Sequence, residues 1–142
     1  MTTARSVIAK LALSSRILLL QMFVAGTALA ADDIGQRELM QRLDMHDAPL
    51  ILDVRRPDEF AAGHIPGAFN IPHTEIGDHL HELGSNLDSE VVVYCESGRR
   101  AAIAAGILEK AGFTRIRHLQ GDMKSWRERS LPMVKGDSKT EP

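Results

Sequence analysis

Five residues, VVVYC at 91 to 95, narrow the possible folds more than any other part of this chain. They are apolar and rich in β-branching, without the in–out alternation of a half-exposed strand. Such a run fits a strand covered on both faces, the usual state of strands in parallel sheets. RRAAIAAGILEKA at 99–111 follows, with Ile103, Ile107 and Ala111 spaced by four and Gly112 as the stop, which predicts a helix. Gly106 inside that helix lowers its propensity, and close packing on the sheet is the expected reason.

The same alternation extends in both directions. LILDV at 50–54 reads as a second buried strand, PDEFAA at 57–62 as one or two helical turns opened by Pro57, and AFNI as a short strand within a Gly- and Pro-rich loop. The apolar residues of 33–45 and of 74–83 fall at helical spacing. RIRHL at 115–119 reads as the next strand, and 122–129 as a helix packed through Trp126. The expected fold class is α/β, a mainly parallel central sheet with helices on both faces.

The first thirty residues stand apart. Arg5, Lys10 and Arg16 precede a mostly apolar run from Ile17, and no acid occurs before Asp32. Ala28-Leu29-Ala30 has the small-residue pattern of a cleavage site. The expected organisation is a secretory leader at 1–30, cleaved after Ala30, one domain at 31–136 and a polar tail at 137–142. Export to a periplasm follows from this. The remaining chain carries 14 basic residues against 19 acids, a net charge of −5. Bulk electrostatics therefore speak against nucleic acid and anionic lipid as partners. No stable membrane association is expected after cleavage, and a monomer is expected in solution.

Cys95 is the chain's single cysteine, so no intrachain disulfide can form. It stands where the strand ends and the helix begins, the place where open α/β sheets bind ligands. Glu96, Ser97, Gly98, Arg99 and Arg100 follow at once. Gly98 permits a sharp turn. That turn can aim amide N–H groups at one point, the helix start adds partial positive charge, and two guanidiniums add full charges. Together they favour a thiolate and an anion beside it, which suits a cysteine nucleophile. The alternative is a buried core cysteine, but a core site has no need of the charged loop that follows. Cysteine phosphatases use a similar turn with five residues between cysteine and arginine. Here the sixth residue after Cys95 is Ala101, so the loop is one residue short for that chemistry.

CESGRR resembles the six-residue active loop of the sulfur-transferring members of the rhodanese family. LILDVRRPDEFAAGHIPGAFNIP at 50–72 is similar to the family's D-V-R-x-x-x-E-F-x-x-G-H-I-x-G-A block. QGDMKSW at 120–126 resembles its G-G-x-x-x-W block, with Asp122 in place of the second glycine. The likeness covers residues 36–136 in three ordered blocks, and it implies a short closing strand at 131–136. A leader with one lone domain is similar to the small periplasmic members. The resemblance implies that Cys95 takes the outer sulfur of thiosulfate, becomes a persulfide, and passes that sulfur to a thiophilic acceptor such as cyanide or a thiol. It implies that the loop from Glu96 to Gly98 cradles the persulfide and that Arg99 or Arg100 binds the donor's oxygens. Glu96 brings a negative charge to this anion site, and it either faces solvent or disfavours some donors. No cofactor and no metal enters the scheme. A carrier or redox-sensing module without turnover is the alternative. Asp53, Arg55, Glu59 and His64 are expected to hold the turn after the second strand, with Arg55 paired to Glu59. His73, His79, His81 and Glu82 are expected on a solvated helix rather than at zinc, since residues two apart do not share a helix face.

Overall fold

The computed structural model describes residues 32–136. The leader, its cleavage site and the tail at 137–142 lie outside the described residues. Five parallel strands form one sheet in the order β1-β5-β4-β2-β3. They are β1 (Asp32–Ile34), β2 (Leu50–Asp53), β3 (Phe69–Asn70), β4 (Glu90–Tyr94) and β5 (Arg115–Leu119). Between them run α1 (Gln36–Asp44), α2 (Pro57–Ala62), α3 (Ile76–His79) with a 3₁₀ turn at Leu80–Leu83, α4 (Arg99–Lys110) and α5 (Asp122–Glu128).

β4 is central, as its composition requires. Its side chains alternate between two cores. Val91, Val93 and Cys95 join Leu52, Ile76, Ala104 and Leu108 on one face. Val92 and Tyr94 join Leu39, Phe60, Met123 and Trp126 on the other. Each face buries its apolar side chains under helices, the arrangement that stabilises a parallel sheet. Trp126 is fully buried, and its indole N–H donates to the Pro132 carbonyl at 2.8 Å.

Five local expectations change. The helix expected over 33–45 begins only at Gln36, because Asp32–Ile34 pairs with β5 as an edge strand and sends Ile34 into the core. The helix expected over 74–83 is one α turn and a 3₁₀ turn, although Ile76 and Leu83 face inward as their spacing implies. On α4 the buried face is Ala101, Ala104, Ala105 and Leu108, whereas Ile103 is 47% exposed. Small side chains let the helix lie close to the sheet, and the repeat at 103, 107 and 111 marks its flank. Gly106 is not a close-packing site, since a Cβ there would meet nothing within 4 Å. Near the C-terminus, Val134 forms an antiparallel bridge with His64 in place of a full strand.

Candidate active site

The turn Cys95–Gly98 lies beyond the C-terminal end of β4, where the chain must reverse into α4. Gly98 adopts φ 96°, a left-handed conformation that a side chain would strain. A Cβ at Gly98 would also stand 3.2 Å from Asp122 Oδ2 and 3.2 Å from His118 Cε1. With that geometry the Gly98 N–H donates to Cys95 Sγ at 3.1 Å. The sulfur sits at the N-terminal end of a twelve-residue helix, whose dipole favours negative charge. Only 1% of Cys95 is exposed, so the thiol lies within the turn.

The two arginines play different parts. Arg99 is exposed, and its guanidinium has no ion pair among the described residues. Arg100 lies on the sulfur's side of the turn, near enough for its charge to act on Cys95. Its position is fixed by Glu59, which accepts from Nη1 at 2.7 Å and Nη2 at 3.0 Å, a bidentate fork. Glu59 reaches this point because Pro57 opens α2 and the Arg56 N–H donates to Glu59 Oε2 at 3.1 Å.

The pairing expected between Arg55 and Glu59 is therefore not formed. Arg55 is buried against Asp53, donating from Nη2 to Oδ2 at 2.6 Å and from Nε to both carboxylate oxygens at 3.0 Å. It also donates to the Gly63 carbonyl at 2.9 Å. The motif thus divides into a structural pair, Asp53–Arg55, and a residue that serves the loop, Glu59. His64 lies with its ring stacked on Phe60 at 3.5 Å and its Nδ1 2.9 Å from the Phe60 carbonyl, a structural role as expected. His79 pairs with Glu82 at 2.6 Å on the exposed helix.

Glu96 is paired with Arg127 of α5, which offsets its charge beside the loop. Ser97 is exposed at the tip of the turn. Beside Glu96 a cavity of about 300 Å³ opens, lined by Glu59, Gly63, Arg127 and Met133 among others. It flanks the turn without reaching the sulfur.

Two residues that the sequence reading did not place in the site support the turn from below. Asp122 is 3% exposed, and its Oδ1 accepts the Cys95 N–H at 2.8 Å. His118 Nε2 lies 3.1 Å from both oxygens of that carboxylate. The start of α5 completes the support, with Met123 N–H donating to the Cys95 carbonyl at 3.0 Å and Lys124 N–H to the Glu96 carbonyl at 3.1 Å. Asp122 itself has φ 51°, so the left-handed turn persists although the expected glycine is absent. The departure from the G-G pattern was the one sequence signal pointing here.

The Arg100 hydrogen bonds hold the Glu59 carboxyl down to about 2, against the opposing effect of burial. A depressed carboxylate stabilises the fold above its unfolded value, and that contribution disappears as pH falls toward about 2. Glu59→Gln is expected to lose on the order of 1–3 kcal/mol at neutral pH, with the difference from wild type closing in acid. Urea unfolding at a series of pH values measures it. A pH-independent difference would contradict the ion pair as its source.

Comparison with known proteins places this geometry. A family model described as a rhodanese-like domain matches residues 36–129. A sulfurtransferase of Allochromatium vinosum is 35% identical over 103 residues, covering 72% of this chain and 94% of that protein. YrkF of Bacillus subtilis, named for a proposed sulfur-carrier role, is 33% identical over 99 residues, which are 70% of this chain and 52% of that one. The chain thus spans nearly all of one relative and about half of the other. The crystal structure of a rhodanese-related protein from Thermoplasma volcanium superposes with a TM-score of 0.62 at 30% identity, covering 72% of this chain and 97% of its own.

Proposed function

The chain belongs to the rhodanese-like family of sulfur-transfer proteins, and from that premise we propose that it is a thiosulfate sulfurtransferase with Cys95 as nucleophile. The observation that carries the reading is the Cys95 sulfur itself, held by the Gly98 N–H at a helix N-terminus with Arg100 fixed beside it. The Cys95 thiolate attacks the outer sulfur of thiosulfate. A sulfur–sulfur bond forms to Cys95, the donor's sulfur–sulfur bond breaks, and the electron pair leaves with sulfite. The persulfide anion occupies the field of the turn's N–H groups and Arg100. A nucleophilic acceptor, cyanide or a thiol, then takes the outer sulfur and returns Cys95 as thiolate. The scheme is ping-pong and needs neither cofactor nor metal.

Arg100 is assigned to the donor's oxygens, because Glu59 aims it at the sulfur while Arg99 points to solvent. Arg100→Ala is expected to raise KM for thiosulfate by about 10-fold or more, since a charge-assisted hydrogen bond to an anion is lost. Steady-state kinetics at fixed cyanide measures this, and an unchanged KM would reassign the donor site. Glu96, Ser97 and Gly98 contribute backbone to the same cradle.

A second reading has its own support. The thiol is almost fully buried, which restricts acceptors, and one relative is named for a carrier role. In that case the protein loads one sulfur and holds it until a specific partner thiol arrives. Mixing the protein with thiosulfate and cyanide separates the two. Continuous thiocyanate release identifies the enzyme, and one bound sulfur that persists without thiocyanate release identifies the carrier. The leader read at 1–30 adds export to the periplasm as a monomer, free of the membrane once cleaved. Recovery from that compartment of a chain beginning at Ala31 checks this, and an intact Met1 would refute it.

A further inference from the structure

Nothing in the sulfur-transfer scheme uses His118 or Asp122, yet the pair lies directly beneath the reactive turn. Asp122 is a buried carboxylate whose Oδ1 holds the N–H of Cys95 itself. An unscreened negative charge at that place would repel an anionic donor arriving at the sulfur. His118 lies against both carboxylate oxygens, and the turn's Gly98 rests on the two side chains together. Asp122 also stands at a left-handed position, φ 51°, where glycine would be easier to accommodate. The carboxylate therefore occupies a strained place in order to reach the Cys95 peptide.

We infer that His118 and Asp122 are a positioning pair that sets the preference for anionic sulfur donors. Asp122 fixes the Cys95 peptide, and the protonated imidazole of His118 cancels the carboxylate's charge under the turn. This rests on the sulfur-transfer reading only for the identity of the donor. The groups that face His118 are Asp122 from α5, Asp33 from its register partner β1, and the Cys95 turn; its β4 partner is the apolar Val93. Both acids favour the imidazolium, and the hydrogen bond to Asp122 is the main cause that raises His118 above its ordinary value. Protonation is then complete in mild acid and is lost as pH rises through that raised value. Past it, a net negative charge remains behind Cys95.

The experiment compares alkylation of Cys95 by iodoacetate, an anion, with iodoacetamide, its neutral analogue. Both are attacked by the same thiolate with loss of iodide, so the ratio of their rate constants cancels thiolate abundance and reports the field at the sulfur. Between about pH 6 and pH 9, the wild-type ratio is expected to fall about 10-fold, the scale of one nearby charge at the protein surface. His118→Gln is expected to give a low, flat ratio, because the charge of Asp122 is never cancelled. Asp122→Asn, which keeps an acceptor for the Cys95 N–H, is expected to give a higher ratio throughout, with its fall moved to lower pH because His118 loses the partner that raises it. A flat wild-type ratio, or a slope that survives in His118→Gln, overturns the pair's role. The readout needs no sulfur transfer. A wild type that shows the slope but does not load sulfur from thiosulfate keeps this inference and refutes thiosulfate as the donor.

Discussion

Cys95→Ser is expected to reduce thiocyanate formation from thiosulfate and cyanide by about 10³-fold or more. The substitution changes one atom at the end of β4. The Gly98 N–H, the Arg100–Glu59 fork and the start of α4 all remain, so donor binding stays largely intact. What disappears is the nucleophile. A serine hydroxyl is not ionised near neutral pH and does not form a stable bond to sulfane sulfur. Cys95 is the chain's one cysteine, so no second thiol can take over. Residual turnover near the wild-type rate would show that sulfur moves directly from donor to acceptor in the bound state, without a persulfide. The same variant should retain its unfolding midpoint within about 1 kcal/mol, since the change removes little buried volume.

Arg55→Ala has a large expected effect of another kind. The side chains of Arg55 and Asp53 are 2% and 0% exposed, and they share three side-chain hydrogen bonds. Removing the arginine leaves a buried carboxylate with no counter-charge and frees the Gly63 carbonyl that closes α2. The guanidinium also lies over the Tyr94 ring at 5.8 Å, a contact that links the pair to β4. Loss of one partner from such a pair costs about 3–5 kcal/mol. A single domain holds only about 5–15 kcal/mol in total, so the variant is expected to be near its unfolding threshold at 25 °C. Chemical denaturation of the wild type, Arg55→Ala and the double variant Asp53→Asn with Arg55→Ala measures the coupling. The double variant should recover part of the loss, because no full charge is then buried alone. A single variant within about 0.5 kcal/mol of wild type would mean that water reaches Asp53 and the pair is not structural.

The sequence made the central sheet legible because β4 and β2 are apolar runs and, like β5, lie between helical patterns. It did not disclose β1. Three residues, two of them aspartate, have no period to read, and they form a strand only because β5 supplies the parallel partner. The inward face of α4 was hidden for a related reason. Hydropathy favours Ile103, but closeness to the sheet selects alanine, and that depends on the helix-to-sheet distance rather than on any one residue. At the site, Cys95, Gly98 and the two arginines were readable because a charged turn after a buried strand serves no packing purpose. The partners of those residues were not. Glu59 and Arg100 are 41 residues apart and Asp122 and Cys95 are 27 apart, and only the folded turn brings each pair together. Arg55 and Glu59 sit in one motif, yet each pairs outside that expectation, Arg55 with Asp53 and Glu59 with Arg100.

Intact mass after exposure to thiosulfate tests the central claim most directly. The wild-type protein is expected to gain one sulfur atom, located by peptide mapping on Cys95 and removed by cyanide, while Cys95→Ser gains none. Sulfur on neither protein, or on both, would contradict a Cys95 persulfide formed from thiosulfate.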